Sequence, residues 1–312
     1  MKWLIGLTGL ALALILGAIA MTYPQPFLKA RDAVGDRSVA QLYPANGNLN
    51  TAVSYYELTA PSSNRPLSDR PLIVMFASAG REVSDFNELA TALNREGYPI
   101  LMIEAPGIGE SVASVEAPTL FDLAQDAHGI YAARGPVVFV GHAFGNRVAR
   151  ASATLFDEQV AGVILIASGG QKPIAEKAAT ALRQSFDPRL TISKRKAAVR
   201  YGFFAGDNEI PDYWLRGWHA GTARLQGAAT AATPSEEWTS AGTAPMLVIA
   251  GMQDTIAPPE DTIDILERAF PDRVTAVRLD GAGHALLPER PDEIAEAALT
   301  WLSKDIRKDT AE

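Results

Sequence analysis

Hydrophobic and polar positions alternate regularly along most of the chain after residue 50. Short apolar runs are followed by segments in which apolar residues recur every three or four positions, as in amphipathic helices. The predicted strands cover 71–77, 98–104, 136–140, 160–167, 245–251 and 273–279. The predicted helices cover 83–95, 119–134, 144–155, 259–270 and 292–302. Continuous apolar strands that alternate with amphipathic helices indicate an α/β fold with a doubly wound, mostly parallel sheet covered on both faces.

The alternation is framed by two further features. Strand-like segments at 38–43 and 51–58, separated by an Asn-Gly-Asn turn, precede the regular pattern. From 168 to 241 no buried strand occurs, and the segment is helical, aromatic and basic in its first half. We interpret 168–241 as a helical cap inserted into a core formed by 37–167 and 242–305.

The chain starts with an apolar leader. One basic residue, Lys2, precedes an apolar run over 3–21 that has the length of either a secretory signal or a single membrane span. Residues 1–22 are therefore predicted to be a signal peptide or a membrane anchor, and 23–36 a linker. Both interpretations predict an exported or membrane-anchored protein on the periplasmic, extracytoplasmic side. Membrane association, if present, would occur through 3–21.

Composition narrows the classes of function. With 47% hydrophobic residues and 21% charged residues, the chain can form a sizeable core. A net charge of −8 provides no general attraction to nucleic acid, so no nucleic-acid partner is expected. The chain has no cysteine, and its four histidines lack metal-ligand spacing, so neither a metal nor a cofactor is predicted. The pattern leaves the oligomeric state open and favours a small-molecule substrate.

Candidate catalytic residues follow the predicted strands, at the edge where α/β proteins place their sites. After the strand 136–140 comes Gly-His-Ala-Phe-Gly over 141–145, the layout of a nucleophile elbow between strand and helix. The nucleophile position is occupied by Ala143, whose methyl group cannot attack a carbonyl. Asp254 follows the strand 245–251, and His284 follows 273–279.

With the elbow, Asp254, His284 and the loop 104–111, the chain resembles the α/β-hydrolase superfamily, in particular its esterases and lipases. The loop, Glu-Ala-Pro-Gly-Ile-Gly-Glu-Ser, is similar to the family pattern Asp-x-Pro-Gly-x-Gly-x-Ser. The resemblance implies that His284 is the general base and that Asp254 orients it. It also implies an oxyanion hole formed by the backbone N–H groups of Ala79 and Phe144.

Four side chains are predicted to contact substrate: Ser78, His142, Trp214 and Trp218. Each also has a purely structural interpretation. Ser78 stands where the family usually has glycine and could instead bond the loop backbone. His142 could pack beside the elbow, and the two tryptophans could form the core of the cap. Ser168 is a further hydroxyl near the expected pocket, but as a nucleophile it would approach from the wrong strand.

Ala143 leaves three explanations open. It could be an introduced replacement of serine, a natural loss of hydrolysis, or part of a natural site that needs no covalent step. The apolar leader favours a natural Ala143, because a chain trimmed for crystallisation would lack it. We expect an esterase-like hydrolase for a small apolar substrate, with activity reduced or altered by Ala143. The alternatives are a non-catalytic ligand-binding protein and a cofactor-free lyase or hydration enzyme that uses a His–Asp base.

Overall fold

The computed structural model describes residues 26–42, 51–61, 70–169, 172–304 and 306. The leader predicted over 1–22 and the turn predicted between the first two strands lie outside these residues. Within them, no helix combines the length and the apolar character needed to cross a bilayer. The described part of the expected linker packs against the cap, since the carbonyls of Pro26 and Leu28 accept hydrogen bonds of 2.7 Å from the N–H groups of Trp218 and Gly217.

The described residues form one eight-stranded sheet. Its strands are β1 (Asp36–Leu42), β2 (Thr51–Leu58), β3 (Leu72–Phe76), β4 (Ile100–Ile103), β5 (Val137–His142), β6 (Val160–Ile166), β7 (Met246–Gly251) and β8 (Val274–Leu279). They lie in the order β1-β2-β4-β3-β5-β6-β7-β8. Only the pairs β1–β2 and β2–β4 are antiparallel among these strands, so the prediction of a mostly parallel sheet is confirmed.

Helices cover both faces of this sheet. The α-helices of the described residues are α1 (Asn87–Arg95), α2 (Leu120–Tyr131), α3 (Gly145–Leu155), α4 (Glu176–Ser185), α5 (Ile192–Phe203), α6 (Ala220–Ala231), α7 (Ile263–Ala269), α8 (Leu286–Glu289) and α9 (Pro291–Lys304). In β3, Val74 and Phe76 pack into the layer that contains α2, α3 and α7. Ile73 and Met75 pack into the opposite layer with α1 and α9. Alternate residues of a strand point to opposite faces, which explains why every position of β3 is apolar and buried.

Sheet order places a crevice between β3 and β5. The chain leaves β3 through α1 on one face and leaves β5 through α3 on the other. Ligand sites of open α/β sheets lie at such switch points, outside the carboxyl ends of the strands. The loop with Ala79 and the elbow with Ala143 both open into this crevice.

Helices α4, α5 and α6 lie over that edge as a cap. Their aromatic residues and those of the intervening loops form a small core that includes Phe203, Trp214 and Trp218. Arg81, in the loop after β3, anchors the cap to the sheet. Its guanidinium contacts the rings of both Trp214 and Trp218, at 4.5 and 4.7 Å from their centroids, and forms a bidentate ion pair with Asp85. The fold with a helical cap is as predicted, while the division into domains at 167 and 242 stays a prediction.

Candidate active site

The turn between β5 and α3 has the backbone geometry of an elbow. Ala143 has a φ of 49°, in the left-handed region that residues with a side chain rarely adopt. The flanking glycines permit this turn. A Cβ on Gly141 would overlap the backbone of Asn146, and one on Gly145 would overlap the carbonyl oxygen of Phe76. Such local strain, typically about 1–3 kcal/mol, is characteristic of functional turns.

Two buried polar side chains stabilise this turn through hydrogen bonds. The side-chain amide of Asn146 donates to the carbonyl oxygen of Ala143, and Arg150 donates to the Asn146 side-chain oxygen. Arg150 is fully buried beneath the ring of Trp238, at 4.6 Å from its centroid, and burial lowers its pKa to about 9. Sequence reasoning missed both side chains, because their role depends on contacts that form only when helix and strand pack.

Asp254 and His284 form the expected pair. Asp254 follows β7, His284 follows β8, and the distance from His284 Nδ1 to Asp254 Oδ2 is 2.8 Å. The other carboxylate oxygen accepts hydrogen bonds of 2.8 Å from the N–H groups of Ile256 and Ala257. Both side chains are almost completely buried. A carboxylate held in this way fixes the imidazole with Nδ1 protonated, and it leaves Nε2 as the basic nitrogen.

His142 holds the loop that carries His284. Its Nε2 lies 3.0 Å from the backbone oxygen of His284, and because a carbonyl can only accept, Nε2 carries the proton. Burial lowers the pKa of His142 to about 4, and Nδ1 has no partner among the described residues, which fits a neutral ring. His142 is fully buried and does not line the cavity above Ala143. The position of His142 is that of a residue that orients His284. It does not agree with the predicted contact between His142 and substrate.

The backbone donors expected for an oxyanion hole lie at the same place. Ala79, Phe144, Ala143 and His284 all line one cavity, and the N–H groups of Ala79 and Phe144 have no acceptor within the described part of the chain. The loop that carries Ala79 is fixed, since the next N–H, of Gly80, donates to the Gln226 side chain at 2.8 Å. Two unpaired donors beside a base can stabilise a developing negative charge.

The cavity has a volume of about 240 Å³ and mostly apolar walls from the cap. Trp218 and Ser78 line it, and their contact with substrate stays a prediction. The Ser78 hydroxyl makes no hydrogen bond within the described residues. Trp214 is fully buried behind Trp218 and does not reach the cavity, so its expected contact with substrate is not found. Ser168 is also buried away from the cavity.

The sequence did not indicate that Arg147 and Asp261 would lie at the cavity. Arg147, Lys172 and Asp261 contribute to its wall. Lys172 pairs with Asp261, whereas Arg147 has no acidic partner in the described part of the chain. The described residues contain no group of three or more histidine, aspartate and glutamate side chains that could hold a metal ion.

The sheet order, the strained turn after β5, and the acid and histidine after β7 and β8 define an α/β-hydrolase fold. A family model described as the alpha/beta hydrolase family matches residues 73–297, and the chain belongs to this family. A search of curated protein sequences finds no match.

Solved structures share the fold at low sequence identity. A thermophilic esterase from Thermogutta terrifontis with bound malate is 20% identical, covering 88% of this chain and 100% of its own, with a TM-score of 0.65. A membrane phospholipase A described as a bacterial virulence factor is 18% identical, covering 99% and 100%, with a TM-score of 0.65. Bromoperoxidase from Bacillus anthracis is 18% identical, covering 86% and 100%, with a TM-score of 0.67. At these identities the similarity shows the fold and does not define a substrate.

Proposed function

We propose that this protein is an esterase-like hydrolase for a small, largely apolar molecule, in which His284 activates water directly. The observation that carries the proposal is the environment of His284 Nε2. The imidazole is oriented by Asp254, its Nε2 has no partner among the described residues, and it lines a cavity beside the methyl group of Ala143. An oriented base without an adjacent hydroxyl is suited to deprotonate water.

The proposed reaction needs no covalent intermediate. Nε2 of His284 takes a proton from a water molecule above Ala143, and the resulting hydroxide attacks the ester carbonyl. The negative charge on the carbonyl oxygen is stabilised by the N–H groups of Phe144 and Ala79. Collapse of the tetrahedral species breaks the bond to the leaving alkoxide, which takes the proton back from His284. Acid and alcohol leave, and the base is regenerated.

Cavity size and lining support a small substrate. Its volume of about 240 Å³ lies below the roughly 300–1,000 Å³ of common ligand pockets. Phe186, Phe203, Trp218 and Ile256 provide apolar wall. Short acyl or aryl groups fit such a space, whereas long lipid chains would need an extension of it.

The proposal is tested by the turnover of a panel of short-chain esters and lactones. The original protein should hydrolyse at least one of them slowly, and His284→Ala should lower the rate by about 10²–10⁴-fold. Ala143→Ser should gain activity and react with a fluorophosphonate, which should not label the original protein. Turnover that is unchanged in His284→Ala would overturn the proposal. Tight ligand binding without any turnover would instead assign a binding protein.

A further inference from the structure

One cation at the cavity stands out because no described residue provides it with a counter-ion. Arg147 lies in the first turn of α3 and lines the cavity beside Ala143. Its Nη1 donates to the hydroxyl of Thr230 at 3.0 Å, and its Nε is buried without a hydrogen-bond partner among the described residues. Within the described residues, Nη2 has no hydrogen-bond partner, and no carboxylate lies within ion-pair distance of the guanidinium.

The acidic groups nearest the cavity are engaged by other residues. On the cavity wall, the ammonium of Lys172 lies 2.5 Å from Asp261. Asp254 does not line the cavity, and its carboxylate accepts hydrogen bonds from His284 and two backbone N–H groups. Arg150, buried directly below, adds a second positive charge without a carboxylate partner in the described part of the chain. A neutral His284 does not cancel the negative charge of Asp254, but Arg147 and Arg150 together outnumber this carboxylate. Positive charge is therefore in excess around the cavity, although the whole chain has a net charge of −8.

Three physical effects disfavour a cation at this position when the cavity is empty. The Arg147 side chain is largely desolvated, and burial lowers its pKa. It lies at the positive end of α3, whose first turn contains no acidic residue. Arg150 repels it from one turn further along the helix. An anion in the cavity would offset all three effects together.

We propose that Arg147 binds a carboxylate group of the substrate, so that the preferred ligand is a small apolar molecule with one free carboxylate. This inference deepens the proposed function, since it assigns a substrate class to the same cavity. The unpaired Nη2 and the second N–H of Nη1 form a planar edge that matches a carboxylate. Apolar walls would enclose the rest of the molecule and strengthen the charge contact by excluding water.

Calorimetric binding of hexanoate and 1-hexanol, which have the same chain length, tests this specificity without turnover. At low salt the original protein should bind hexanoate about 10- to 100-fold more tightly than hexanol, as expected for a charge-assisted contact. Arg147→Gln should reduce this preference to less than about threefold, and Arg147→Lys should retain part of it. Arg183→Gln removes an exposed arginine of α4 that pairs with Glu176, and it should leave the preference unchanged.

A further variant separates anion binding from catalysis. His284→Ala should still prefer hexanoate, whether or not esters are turned over, so this result does not depend on the proposed reaction. The inference is overturned if the original protein binds hexanoate no better than hexanol, or if folded Arg147→Gln keeps the full preference. It is also overturned if the preference is lost in His284→Ala and kept in Arg147→Gln, because the imidazolium would then be the anion site.

Discussion

Replacement of Glu104 by glutamine should make the protein more stable at alkaline pH. Glu104 follows β4 and is almost completely buried, and its Oε2 accepts one hydrogen bond of 3.3 Å from the N–H of Val83. Burial, and next the negative charge of Glu82, raise the pKa of Glu104 from 4.5 to about 8. The folded protein therefore holds this carboxyl group protonated at neutral pH.

The sign and size of the effect follow from proton binding. Below pH 4.5 Glu104 is protonated in both the folded and the unfolded chain, so its raised pKa does not change the free energy of unfolding. Between pH 4.5 and about 8 the unfolded chain releases the proton while the folded chain keeps it. The free energy of unfolding therefore falls by about 1.4 kcal/mol per pH unit over this range. The full loss, complete above the folded pKa, is about 5 kcal/mol. Glutamine is neutral in both states, and its side-chain oxygen can still accept from Val83.

Urea unfolding of Glu104→Gln and the original protein between pH 5 and 9 measures this difference. The two free energies of unfolding should be similar near pH 5 and diverge steadily up to about pH 8, with the variant more stable. Glu110→Gln, which removes an exposed carboxylate of the same loop, should change stability by less than about 1 kcal/mol at every pH. Parallel curves for Glu104→Gln and the original protein would show that Glu104 is not held protonated.

Two further predictions concern the framework of the site. Gly145→Ala should prevent folding or destabilise the folded protein by more than about 3 kcal/mol, because the added Cβ would overlap the Phe76 carbonyl oxygen. The measurement is thermal unfolding. As a control, Gly227→Ala, which has open space around the new methyl group, should leave the stability unchanged or raise it. Arg81→Met should destabilise by about 3–5 kcal/mol because it leaves Asp85 buried and unpaired, and Arg81→Met with Asp85→Leu should recover most of this loss in the same assay.

The central strands could be predicted from the sequence because burial on both faces requires every residue to be apolar. The prediction for 71–77 agrees with β3 (Leu72–Phe76) within one residue at each end. Helix starts were less accurate. The helix predicted over 83–95 begins as a 3₁₀ turn (Val83–Phe86), which has no side-chain cap. Over a single turn, hydrophobic periodicity does not separate 3₁₀ from α geometry.

At the site, residues whose place follows from the order of strands could be predicted, and those that depend on packing could not. Asp254 and His284 each follow a strand, and parallel strands bring their carboxyl ends to one edge. Trp214 and Trp218 lie four residues apart in the cap, yet only Trp218 reaches the cavity, because Trp214 is enclosed between Phe204 and Trp218. Arg147 has no acidic partner among the described residues, and this depends on where the folded cap places its carboxylates, which the sequence pattern does not reveal.

In the proposed mechanism, His284 activates water beside Ala143 and no acyl-enzyme forms. Mass spectrometry of the intact protein during turnover of a short-chain ester detects such an intermediate. The original protein should release product with no acylated protein detected, and Ala143→Ser with His284→Ala should accumulate at most a slowly formed adduct. Ala143→Ser alone should pass through an acylated form. An acyl group on the original protein during turnover, for example on Ser78, would rule out direct activation of water.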